Sequence, residues 1–117
     1  MSSQQRERSP VARVNEDTDI RVRAIADETR RDIIAVLYTR GPLFNNQIAG
    51  AVSIKPSHLA YHLNLLLEGG YVRKEFKENR VGRSFALYSV TESAISFLEF
   101  IGARKKLDAI KKRKNVH

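Results

Sequence analysis

The 117-residue chain contains no cysteine and no tryptophan, and only 8% of it is aromatic. Without a thiol there is no disulfide, no thiolate metal site and no cysteine redox sensing. No apolar run approaches the roughly 20 residues that cross a bilayer. The opening MSSQQRERSP lacks the apolar segment of a secretory signal. The expectation is a soluble, cytoplasmic protein with no membrane partner. Also missing are a Gly-rich phosphate loop, a Ser/His/Asp set and a paired-carboxylate pocket, so no catalytic residue is assigned and no enzyme is expected. Glu92 and Glu99, seven apart, read as surface charge. A chain of this length that is 42% hydrophobic has room for one domain with a single modest core.

Acidic residues are scarce relative to basic ones, 13 against 21, and the net charge is +8. The surplus sits in residues 73–90, net +3, and residues 91–117, net +4. A clustered basic surplus is the footprint of a polyanion partner, although a basic tail serving only solubility gives the same total.

Along the chain, residues 1–16 are polar and aperiodic and read as a disordered arm. Asp17-Thr18 caps a first helix to Ala26, with Ile20, Val22 and Ile25 on its apolar face. Asp27 caps a second, with the stripe Ile33, Ile34, Val36 and Leu37, ended by Gly41-Pro42. Asn45 or Asn46 caps a short third helix through Val52. The connection Ser53-Ile54-Lys55 leads to Pro56, tolerated at a first helical turn, and a fourth helix to about Glu68, left through Gly69-Gly70. Strands follow over Tyr71–Phe76 and Ser84–Val90, joined by a basic loop, Lys77–Arg83. Thr91-Glu92 starts a long last helix with two apolar faces. Ala94, Phe97, Leu98 and Ile101 form one, and Phe100, Ala103, Leu107 and Ile110 the other. Two faces have two things to cover: the domain's own core and a partner chain.

At 100° per residue, the fourth helix puts Leu59, Leu63, Leu66 and Leu67 on one side. Ser57, His58, Tyr61 and Asn64 fall opposite, His62 lies at the border, and Leu65 points outward. Short hydrogen-bonding groups on one helix face can reach base edges in a major groove; an ordinary solvated face has a similar make-up. Lys55 is placed to meet a phosphate. Lys77, Arg80 and Arg83 of the basic loop, extended by Arg73 and Lys74, can follow a phosphate strand. His58 and His62, four apart, have chelating spacing, but two ligands are not a site and no metal or other cofactor is expected.

This order is mainly α with a hairpin (α+β): a winged helix-turn-helix of four helices, a wing and a fifth helix. IADETRRDIIAVL, NQIAGAVSIKPSHLAYHLNLLLEGGYV and the closing YSVTE resemble the ArsR-type transcription regulators over about residues 20–95. MarR-like regulators share the fold. The resemblance implies that Lys55, Ser57, His58, Tyr61 and His62 occupy DNA-contacting positions. It also implies a homodimer joined through the first and last helices, with Ile20, Phe97, Phe100, Ile101, Leu107 and Ile110 available here. Metal-sensing members carry Cys pairs or Asp/His ligands that this chain lacks, so metal responsiveness is not carried over.

The domain limits expected are an arm over 1–16, the winged domain with its dimerisation helix over 17–113, and a tail over 114–117. The function expected is a homodimeric, sequence-specific regulator, in the simplest case a repressor, of an inverted-repeat site on double-stranded DNA. The alternative is an architectural or protein-binding module without sequence specificity.

Overall fold

The computed structural model describes residues 19–115, with side-chain surroundings given through Leu107 and at Ile110. The expected arm, the Asp17-Thr18 cap and the last two residues lie outside the described part. The elements are α1 (residues 19–25), α2 (Glu28–Arg40), β1 (Leu43–Phe44), α3 (Asn45–Val52), α4 (Pro56–Glu68), β2 (Val72–Glu78), β3 (Ser84–Val90) and α5 (Glu92–Asn115). The helical order and the hairpin agree with the sequence expectation, and the fold is a winged helix-turn-helix.

Local chemistry sets most boundaries. The Asp27 carboxylate accepts the Arg30 N–H at 3.1 Å and caps α2. At α3 the sequence expectation is corrected. Neither Asn45 nor Asn46 is the cap; Gln47 Oε1 reaches back to accept the Phe44 N–H at 2.9 Å. Between α3 and α4, Ser53 adopts the left-handed conformation (φ 57°, ψ 49°) and the Ile54 N–H closes on Ala49 O at 3.1 Å. This tight turn aims α4 across α3. At the far end of α4, the Tyr71 N–H bonds to Leu66 O and the Gly70 N–H to Leu67 O. That is the Schellman pattern, and it requires the positive φ of 80° that Gly70 supplies.

The sheet differs from a simple hairpin. Leu43–Phe44 pairs antiparallel with β3, Leu43 opposite Tyr88 and Phe44 opposite Leu87, so the order is β1-β3-β2. Two residues leave no alternation to read, which hid this strand in the sequence. β2 begins one residue later and ends two later than expected, because Lys77 pairs with Phe85 and Glu78 with Ser84. The loop is therefore only residues 79–83. It is held by Asn79, whose Oδ1 accepts the N–H groups of Val81 and Arg83, each at 3.0 Å.

The core lies where α2, α3, α4 and the base of the sheet meet. Ile33, Ile34, Leu37, Ile48, Leu59, Leu63 and Leu66 are all but fully buried, joined by Ala24, Val72, Tyr88 and Ala94. Leu67, Phe97 and Leu98 pack on its margin. Val36, expected in the α2 stripe, is only half-buried, and so is Leu65, which the wheel placed outward. Thr91 ties α5 to the exit of α4: its hydroxyl donates to Gly70 O at 2.6 Å, and its N–H to Tyr71 O at 3.1 Å. α5 then continues through Asn115, two residues past the domain limit read from the sequence.

Gly69 is buried at the crossing of α1 and α4. A Cβ there would lie 2.8 Å from the Ala24 Cβ and 3.1 Å from the Tyr71 ring. Neither neighbour is a flexible chain end, so Gly69→Ala should cost about 1–3 kcal/mol, the range for overpacking. The check is a lowered urea midpoint at unchanged slope.

Candidate nucleic-acid interface

The two sides of α4 separate as the wheel requires. Leu59, Leu63 and Leu66 are buried, while Ser57, His58, Tyr61 and Asn64 are exposed, Tyr61 at 56%. Lys55 is exposed at the N-terminal end of the helix, where its backbone carbonyl accepts the Leu59 N–H at 3.0 Å. The structure thus gathers Lys55, Ser57, His58, Tyr61 and Asn64 on one solvent-facing strip.

On the wing, Arg73, Lys77, Arg80 and Arg83 are all exposed. Strand alternation divides them from a further cation. Val72 and Tyr88 mark the sheet face that lies on the core, and Lys74, opposite Tyr88, shares it. Arg73 and Lys77 are on the other face, and Arg80 and Arg83 belong to the tip. Lys77 stands 3.5 Å from Glu75, a solvent-exposed pair worth little. Lys74 lies 5.3 Å from the centroid of the Phe76 ring, which is 64% exposed. Phe76 is therefore a candidate surface residue that the sequence reading did not name, and Lys74, named there only as an extension of the wing's charge, shares its face. Counting alternate residues outward from Val72 would have put the two on one face.

The larger omission is Arg30, a guanidinium only 7% exposed. It reaches back to the end of α1, where the last carbonyls of a helix have no intrahelical partner. Nε donates to Ala24 O at 2.8 Å and Nη2 to Arg23 O at 3.0 Å. Arg31 adds a bond to Ile25 O at 2.9 Å. The paired arginines of TRRD are thus the cap of the preceding helix, and their positive charge suits its negative end. Nη1 of Arg30 points the other way, to His62 Nδ1 on α4 at 2.9 Å. The sequence signal was a pair of arginines beside an apolar stripe, which reads as surface until the helices are placed.

Burial lowers the His62 pKa below 6.5, and the charges of Arg30 and His58 lower it further, against an opposing pull from Asp27. For Asp27, burial raises the pKa, but the Arg30 N–H, the Arg30 and His62 charges and the Thr29 N–H outweigh it and hold the carboxyl below 3.8.

Among the described residues, no group of three or more His, Cys, Asp and Glu is disposed to hold a metal ion, and no helix is long and apolar enough to cross a membrane. On α5, Phe97 is half-buried beside Tyr71, with ring centroids 6.2 Å apart, and Ile101 is half-buried too. Phe100, Leu107 and Ile110 remain 63%, 53% and 42% exposed, and Ile20 on α1 is 42% exposed. An open groove of about 510 Å³ runs between α1 and α5, lined by Arg21, Tyr71, Glu92, Ser93, Phe97 and Phe100 among others.

The His62 shift has a consequence for stability. A base that is harder to protonate in the folded chain than in the unfolded one stabilises the fold fully above its unfolded pKa. That contribution is lost as pH falls from 6.5 toward the lower folded value. Asp27 acts in a separate, more acidic window, below 3.8. Urea midpoints should therefore decline between pH 7 and pH 5, and His62→Gln should flatten that decline. An equal decline in the variant would place its origin elsewhere.

Residues 27–74 match the family profile of bacterial regulatory proteins of the arsR family. A search of curated proteins finds no match. Among solved structures, the chain resembles the homodimeric winged helix-turn-helix DNA-binding domain of a possible ArsR-family transcriptional regulator from Mycobacterium bovis. The TM-score is 0.69 at 18% identity, covering 84% of this chain and 86% of that one. HlyU from Vibrio cholerae, in its reduced form, gives a TM-score of 0.61 at 20% identity over 78% of this chain and 90% of the other. A putative MarR-family regulator from Enterococcus faecalis gives 0.66 at 17% identity over 91% and 94%. At these identities the structural likenesses speak to the fold, which ArsR-like and MarR-like regulators share. The family profile, spanning α2 to the start of β2, is what separates them: over that stretch the chain is similar to the arsR family.

Proposed function

We propose that the protein is a sequence-specific regulator of transcription that binds double-stranded DNA as a homodimer. The observation that carries this is the division of α4. One side is locked into the core by Leu59, Leu63 and Leu66, and the other is an exposed row of Ser57, His58, Tyr61 and Asn64 beside a basic wing. A rigid helix with a free hydrogen-bonding face suits the major groove. In this reading α4 enters the groove, Lys55 meets a phosphate at its N-terminal end, and His62 contributes from the border. Arg73, Lys77, Arg80 and Arg83 follow the backbone, with the tip near the minor groove.

Self-association is supported by the uncovered apolar residues Ile20, Phe100, Leu107 and Ile110, continued by the half-buried Phe97 and Ile101. It is supported also by the M. bovis neighbour, which is itself described as homodimeric. Two copies of α4 related by a two-fold axis fit half-sites about 34–36 Å apart, one turn of DNA, and so an inverted repeat. Repression by occupying a promoter is the simplest action for residues 17–113 working as one domain. The basic end of the chain adds nonspecific attraction to DNA.

Selection from a random duplex library tests the reading: one enriched palindrome is expected, whereas binding with no preferred sequence would mark an architectural role. Arg80→Ala with Arg83→Ala should weaken binding to every duplex. It should also flatten the log K against log[salt] slope by about 0.9 for each phosphate that the wing no longer neutralises. An unchanged slope would place the wing clear of the backbone. Leu107→Asp should sediment as a monomer, and a variant that remains dimeric would remove this face of α5 from the interface.

A further inference from the structure

The bond between Arg30 and His62 determines more than packing. A guanidinium has donors and no acceptor. The contact of 2.9 Å from Arg30 Nη1 to His62 Nδ1 therefore requires a lone pair on Nδ1. In the neutral ring, the proton must then sit on Nε2. The alternative tautomer would set two N–H groups against each other, and the imidazolium would do the same while adding a second cation against a guanidinium that is nearly buried.

The other nitrogen is free. Among the described residues Nε2 has no hydrogen-bond partner, yet no buried side-chain nitrogen or oxygen is left unsatisfied. Nε2 therefore meets solvent. It does so at the edge of the α4 strip, one turn from His58, with the ring braced edge-on against Tyr61 at 5.5 Å between centroids. The groups facing His62 are Asp27 and Arg30 of the α2 entry and His58 of its own helix.

We propose that Arg30 fixes His62 as the Nε2–H tautomer, making it a neutral, pre-oriented hydrogen-bond donor to a DNA phosphate oxygen at the border of the reading helix. The tautomer half stands on the free protein; the phosphate half rests on the DNA-binding reading. Arg30 is then a positioning residue that acts through His62, and the same guanidinium holds the end of α1. A neutral donor also has a distinctive signature. It adds affinity without releasing a counterion, so it leaves the salt dependence of binding unchanged.

Two measurements on the full chain test the proposal. In the unmodified protein at pH 7.5, ring ¹⁵N–¹H correlation spectra should give His62 a pyrrole-type nitrogen at Nε2 and a pyridine-type nitrogen at Nδ1. A protonated Nδ1, in either the other tautomer or the imidazolium, overturns the assignment. This readout needs no DNA and no variant, so it is decided even if the chain fails to bind a duplex. Binding to a 30-bp mixed-sequence DNA duplex then tests the phosphate half. His62→Gln can accept from Arg30 through Oε1 and donate outward through its amide, and it should bind within about threefold of the unmodified protein. His62→Leu, its fold checked by circular dichroism, should bind about tenfold more weakly, as expected when one hydrogen bond to a charged acceptor is removed, with the salt slope unchanged. Equal binding by His62→Leu, or a slope reduced by about one unit, overturns the donor role. No duplex binding by the unmodified chain would remove the DNA-binding reading, and the phosphate half with it.

Discussion

A single buried guanidinium holds together the parts of this molecule that must keep a fixed relation. Arg30 sits in the first turn of α2 and reaches out of it in two directions. Two of its nitrogens close the open carbonyls at the end of α1, and the third meets a histidine on α4. A charge nearly removed from water is costly unless it is hydrogen-bonded, and each of the three guanidinium nitrogens has an acceptor. Here the helix end supplies acceptors in the fork geometry that arginine needs, and the imidazole supplies the last. A lysine, with a compact ammonium on a flexible stem, could not span the same three acceptors. One side chain thus joins the end of α1, the first turn of α2 and His62 on α4.

A second tie works from the opposite end of α4. The helix stops in a Schellman turn, and Gly70 O from that turn accepts the hydroxyl of Thr91, the residue that opens α5. Gly69 lets α1 approach to van der Waals distance at the same place. The reading helix is thus held to α1 through Arg30 and Gly69, and to α5 at its exit. Because α1 and α5 also carry the uncovered apolar residues, any assembly through them sets the position of α4 as a rigid-body consequence. In the proposed dimer on DNA, no long-range signal is needed to match the pairing of the copies to the placing of α4.

The candidate surface was legible in the sequence wherever periodicity carried it. Leucines at 59, 63 and 66 define a buried side, so the polar residues opposite them had to be exposed, and they are. The Asp27 cap and the Gly70 exit were legible because each depends on a few adjacent residues. The strand Leu43–Phe44 was not, since two residues carry no period. The partner that makes them a strand lies more than forty positions away. Lys77 was misplaced in a loop for a related reason: hairpin length is set by which residues pair across it, and Asn79, folding back on Val81 and Arg83, draws the turn tighter than composition suggests.

By itself, then, the sequence determined the order of the helices, the two sides of α4, the basic character of the wing and the absence of any thiolate chemistry. These depend on residue type and on spacing within one element. Tertiary structure alone decided the role of Arg30, the tautomer of His62, the third strand and which apolar residues of α5 remain uncovered. Each of those depends on which groups from distant elements come within a few ångströms of one another. A buried arginine and a surface arginine are the same letter until a helix end and an imidazole are brought to it.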